Sequence, residues 1–157
     1  MPRSYRLIAL LFGLAGLVMA GCSLTPGGDL DSTSFFVEDI EERRAAWDEE
    51  GITSYQLLYD RLFEGQLYEQ VSVTVRQDTI AEARFSGQPV SQEGLALTID
   101  DMYEEMLAIA NQSGRGSFGY DFDDNLPFPD FYRVSPTDAL PATGIDVSQF
   151  VIPEDSE

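Results

Sequence analysis

Val71-Ser72-Val73-Thr74-Val75-Arg76-Gln77-Asp78-Thr79-Ile80-Ala81-Glu82-Ala83-Arg84-Phe85 is the stretch from which the fold is read. Three valines alternate with Ser72, Thr74 and Arg76, so one face of a strand is apolar and the other polar. Gln77-Asp78 makes a tight turn, and residues 80–85 form the returning strand. Strands this close in sequence pair antiparallel, because a parallel partner needs a crossover of about a dozen residues.

Upstream, Tyr55, Leu57, Tyr59 and Phe63 alternate along an earlier strand of the same meander. A helix over residues 37–50 precedes it, with Phe36, Ile40 and Trp47 on one face and Arg44 between them. Asp39 with Arg43, and Glu41 with Arg44, are spaced to pair on its surface. Gly51 suits the left-handed cap, and Ile52 can pack back on the last turn.

Downstream, residues 87–94 read as a loop. A second helix starts at Thr98, with Asp101 three residues on as a capping box and Leu97 and Met102 in the staple positions. Asp100 and Asp101 also favour the positive end of the helix. Ile99, Met102, Tyr103, Met106, Ile109 and Ala110 form its apolar stripe. Two further strands are expected over residues 117–122 and 130–134, and an edge strand over 145–151. The expected architecture is α+β, with two helices packed on one face of an antiparallel sheet of five to six strands.

The ends carry different signals. Arg3 and Arg6 precede an apolar run over residues 7–19, followed by Ala20, Gly21 and Cys22. That is the layout of a secretory signal peptide and is short for a spanning helix. Val18-Met19-Ala20-Gly21-Cys22 resembles the lipobox of bacterial lipoproteins, with Met19 where Leu is usual. Cys22 is the single cysteine, and lipidation explains a lone thiol in an exported chain. The expected organisation is a signal peptide (1–21), a lipidated Cys22 with a flexible tether (22–34), one α+β domain (35–151) and an acidic tail (152–157). Ser23 rather than Asp after the cysteine leans toward an outer membrane facing the periplasm. In a cell with one membrane, the extracellular face is the counterpart.

Nine arginines face 28 acids, with no lysine or histidine, for a formal charge of −19. Two of those arginines lie in residues 1–21. Seven against 28 then leaves −21 for the remainder. Such a surface repels phosphate backbones and anionic headgroups, so neither nucleic acid nor a bare anionic membrane is an expected partner. The acidity fits ordinary solubility, and it equally fits a salt-rich habitat where screening removes self-repulsion.

The residue inventory excludes much chemistry. Without histidine there is no Ser-His-Asp triad and no His-based metal site. Without lysine there is no Schiff base and no P-loop lysine. Gly114, Gly116 and Gly119 lack dinucleotide-loop spacing. Among 28 acids, some pair will meet a glycosidase separation by chance, so that signal is weak. Asp121, Asp123 and Asn125 match the first ligand positions of a calcium loop, but Leu126 and Tyr132 stand where Gly and Glu are needed. They are weak metal candidates beside the plainer reading of an Asp/Asn-rich turn. Phe118, Tyr120, Phe122, Phe128, Phe131 and Tyr132 fit either a core or a groove for a glycan or peptide. No cofactor and no catalysis are expected.

Several of these segments together resemble domain-of-unknown-function family 6174. They are Ala45-Ala46-Trp47, Gly51-Ile52-Thr53-Ser54-Tyr55, residues 71–76, Gly87-Gln88-Pro89-Val90, residues 98–103, Gly119-Tyr120-Asp121, Phe128-Pro129 and residues 145–150. The resemblance spans residues 43–151. It departs at Arg61-Leu62-Phe63-Glu64, where many members carry a cysteine-containing segment, and at Asp78-Thr79, where a turn glycine is usual. It implies a small exported or lipid-anchored protein and supplies no activity. The expected function is a non-catalytic envelope module for a protein or peptide partner. The alternative is a lipoprotein that binds a cation or glycan.

Overall fold

The computed structural model describes residues 32–92, 94–112, 115–138 and 141–153. The expected signal peptide, Cys22, most of the tether and residues 154–157 lie outside them. Two helices, α1 (Ser32–Glu50) and α2 (Ile99–Ala110), accompany seven strands. These are β1 (Tyr55–Phe63), β2 (Gln66–Arg76), β3 (Thr79–Phe85), β4 (Gln88–Pro89), β5 (Phe118–Phe122), β6 (Pro129–Val134) and β7 (Thr143–Val151). All pairings are antiparallel, in the order β4-β3-β2-β1-β7-β6-β5. The α+β architecture is as expected, with seven strands rather than five or six because Gln88–Pro89 pairs with Arg84 and Phe85. Among the described residues no helix is long and apolar enough to cross a membrane.

Three two-residue turns build the first meander. Glu64-Gly65, Gln77-Asp78 and Ser86-Gly87 each hold positive φ at both positions, the primed-turn geometry that matches strand twist. Gln77 and Asp78 adopt it without a glycine. The backbone leading into β1 supports them, since Asp78 N donates to Thr53 O at 2.9 Å and Gln77 N to Ser54 Oγ at 3.3 Å.

The C-terminal strand departs from expectation. β7 lies between β1 and β6 and joins two meanders, rather than forming an edge. Its local pattern, flanked by Pro141 and Pro153, carries no information on which strands it meets. Ile145 and Val147 point into the core. A bulge at Ser148 shifts the register against β1, and the shift turns Phe150 rather than Gln149 inward. Phe150 then stacks on Phe128 and Tyr55, with Trp47 of α1 edge-on to all three rings.

Helix α1 starts at Ser32, five residues before the expected start, so part of the expected tether is helical. Phe36 draws its first turns onto the sheet through edge contacts with Phe118 and Tyr120, and such tertiary contact overrides weak local preference. Neither expected surface ion pair forms on this helix. Arg44 reaches Glu104 of α2 at 3.6 Å, Asp39 accepts from Tyr120 Oη at 2.9 Å, and Arg43 lies over the Phe122 ring. Helix α2 has the expected capping box at Thr98 and Asp101, and its whole apolar stripe is buried.

Candidate functional site

Strand β1 sorts the two faces of the sheet. Tyr55, Leu57, Tyr59 and Arg61 point to the helix side and are all buried. Gln56, Leu58, Asp60 and Leu62 point the other way. The polar tips on the inner row find partners near α2. Tyr55 Oη accepts from Ile99 N at 2.8 Å, one of the helix N-terminal donors that has no intrahelical acceptor. Tyr59 Oη accepts from Leu97 N at 2.8 Å and donates to Leu95 O at 3.2 Å. Burial pushes both phenol pKa values up, so both stay neutral.

Among the described residues Arg61 is the one buried charge, at 1% exposure. Its Nη1 and Nη2 meet Glu105 Oε1 and Oε2 at 3.1 and 2.7 Å, a bidentate pair. Nη1 also reaches Tyr132 Oη at 3.3 Å and Gly144 O at 3.2 Å. Thr143 Oγ1 lies 3.0 Å from Glu105 Oε1. Nε is buried without a hydrogen-bond partner, and the guanidinium lies 5.3 Å from the Phe63 ring centroid. Burial works against the Arg61 charge, but Tyr132 and Glu105 outweigh it and hold its pKa above the usual value. Burial, then Glu105, raises that of Tyr132. The group is closed on itself. With Glu105 paired and Tyr132 fully buried, it fastens α2 to the sheet. Apolar periodicity does not single out Arg61. Its signal in the sequence is its place two residues after Tyr59 on an inward row, where a charge demands a partner.

The acidic turn holds the metal candidates. Asp123 Oδ1 accepts from Asn125 N at 2.8 Å and from Leu126 N at 2.9 Å, an Asx-turn arrangement. Asp121 Oδ1 accepts from Phe122 N at 2.9 Å. Asp123, Asn125 and Asp130 line one open depression of about 310 Å³, and Asp121 does not. Among the described residues no three His, Cys, Asp or Glu side chains converge as metal ligands do. Desolvation raises the pKa of Asp130, and Asp123, Asp146, Asp121 and Asp124 push it the same way.

The aromatic set is mostly interior. Phe128 and Tyr132 are buried, and Phe118, Tyr120 and Phe122 lie under α1. Phe131 alone of the six stands on the outer face.

That outer face is the open surface of the fold. Among the described residues neither helix lies on it. The register places Leu67, Leu62, Gly144, Arg133 and Gly119 in one row across five strands. The next row holds Asp60, Asp146, Phe131 and Asp121. A shallow depression of about 190 Å³ opens over Gly144, walled by Leu62, Leu67 and Phe131, with Asp60, Asp146 and Arg133 at its margins. A second, of about 240 Å³, lies over Leu58, Ser72, Thr74 and Gln149. Leu67 is 52% exposed and Val151 38%.

No family model matches the chain, and neither does a curated protein or a solved structure.

Two outcomes follow from these groups. Glu105→Gln leaves Arg61 buried without its counter-charge and should cost about 3 kcal/mol in urea unfolding. Arg61→Met combined with it should cost less than the sum of the two single changes. Additive costs would mean the pair is not coupled. The second outcome concerns pH. Asp130 and Asp100 both have raised pKa values, by burial first. Below those raised values and above the ordinary 3.8, the folded state binds more protons than the unfolded state. Stability therefore rises as pH falls from neutral into that window. Thermal melting should show this rise, and Asp130→Asn should flatten it. A melting temperature that falls from the first step of acidification would contradict the reading.

Proposed function

We propose that this chain is a non-catalytic, lipid-anchored module of a bacterial cell envelope that binds a protein or peptide partner on the outer face of its sheet. The supporting observation is the division of labour between the two faces. One face is filled by α1 and α2. The other carries Leu58, Leu62, Leu67, Phe131 and Val151 among polar residues, with neither helix over it. Apolar groups gathered on an exposed face and rimmed by polar ones are typical of an interaction surface. The buried charges, by contrast, are already paired with one another, which suits a binding module better than an enzyme. The lipobox-like segment ending at Cys22 supplies the anchor, since acyl chains on one cysteine hold a domain at a bilayer.

The alternative, a lipoprotein for a cation or glycan, has less support. The Asp123 carboxylate is occupied by its own loop, and five of the six aromatics proposed for a groove face the helix side.

The reading is tested in membranes of the native cell. A photo-crosslinking residue at Ser72 or Gln149 samples the outer face, and one at Glu42 or Ala45 samples the solvent side of α1. Discrete crosslinked products from the outer-face positions alone are expected. They should come from chains that begin at an acylated Cys22 and be lost in Cys22→Ala. Products confined to the helix positions, or none from either face, would overturn the proposal.

A further inference from the structure

We infer that the depression over Gly144 seats a lysine or arginine side chain of an extended, cationic partner segment. The inference rests on the outer face being the binding face, and it adds the chemistry of the occupant.

The depression lies over Gly144, which carries no side chain between its register neighbours Leu62 on β1 and Arg133 on β6. A Cβ there would lie 2.5 Å from Tyr132 O and 3.0 Å from Arg133 Cα, so the close approach of the β6 backbone keeps this position a glycine. Leu62, Leu67 and Phe131 give that hollow apolar walls. One row along, Asp60 and Asp146 face each other directly across the β1–β7 pair. Like charges opposite one another destabilise a sheet. Neither carboxylate has an ion-pair partner among the described residues, and Asp60 Oδ1 has only the Gln70 N–H at 2.8 Å.

An apolar hollow ending at two unpaired carboxylates matches one kind of side chain. A long aliphatic stem covers the leucines and phenylalanine, and a cationic head lies between the aspartates. Arg133 stands beside Gly144 on β6, diagonal to Asp146, so a cationic head is directed toward Asp60 on the β1 side. The wider field agrees. The chain carries 28 acids against nine arginines and no lysine, which attracts basic partners and discourages association with a second copy.

The test uses the full chain in detergent micelles and a short capped peptide alternating lysine and threonine. Backbone amide shifts should move at Asp60, Leu62, Gly144 and Asp146, and binding should weaken with added salt. Asp60→Asn with Asp146→Asn should weaken it about tenfold. Asparagine retains the Oδ1 acceptor for Gln70 N, so the β2 bulge at Gln70, opposite Asp60, survives. Replacing lysine by norleucine removes the charge, and replacing it by diaminopropionate removes the stem. Each should weaken binding by a similar factor. Leu67→Ser, at a wall position that is 52% exposed, should weaken binding as well.

Shifts elsewhere, equal binding by the diaminopropionate peptide, or affinity untouched by the paired asparagines would overturn the inference. So would the absence of binding by the lysine peptide. Should outer-face crosslinks in native membranes persist in the Asp60→Asn, Asp146→Asn variant, the face would still bind a partner and this occupant would be wrong. Loss of those crosslinks in the same variant supports both.

Discussion

The inward row of β1 carries the rest of the structure. Tyr55, Tyr59 and Arg61 occupy three of the four buried inward positions of a central strand, with Leu57 between the tyrosines, and each ends in a polar group that reaches α2 or the segment leading into it. A purely apolar row would hold the helix by area alone and leave its approach angle loose. Here Ile99 N, Leu97 N and the Glu105 carboxylate are each matched by one side chain of β1. Two of these are backbone donors at a helix start, where an unmet hydrogen bond is costly. The third pairs a buried cation with a carboxylate across two elements.

That fastening decides where function can reside. With α2 fixed over β1 and α1 laid against it through Arg44 and Glu104, the inner face is committed to packing. β7 enters between β1 and β6 and merges two meanders into one sheet. The merged sheet therefore presents a wide second face, on which β7 itself supplies Gly144 and Asp146. The bulges at Gln70 and Ser148 flank β1 on both sides at the level of Tyr59 and Asp60. They swing Tyr68 and Phe150 to the helix side and leave Leu67 and Gln149 outside. The composition of the outer face is thus set by small irregularities in its strands as much as by alternation.

Much of this was legible residue by residue. The Val71–Val75 alternation, the Gln77-Asp78 turn, the capping box at Thr98 and the whole buried stripe of α2 are local patterns, and local physics determines them. What was not legible is long-range. The placement of β7 depends on partners about ninety residues away in sequence. The early start of α1 depends on Phe118 and Tyr120. The expected Asp39–Arg43 and Glu41–Arg44 pairs gave way to Tyr120 and Glu104, contacts that helix spacing cannot foresee. At the site, Asp121, Asp123 and Asn125 form a visible pattern because they lie within five residues of sequence. Asp60 and Asp146 do not, because only strand register brings them together. Arg61 was visible as a charge on an inward row, but its partner on α2 was not.

Native-state hydrogen exchange on the full chain tests most directly whether β1 and α2 form one fastened unit. Amides of β1 and α2 should open together, with the largest opening free energy in the molecule, and β4 and the end of β3 should open at lower cost. In Tyr59→Phe, protection should fall in β1 and α2 by the same amount. If α2 instead opened alone while β1 kept its protection, the polar tips of β1 would not be what holds the helix to the sheet.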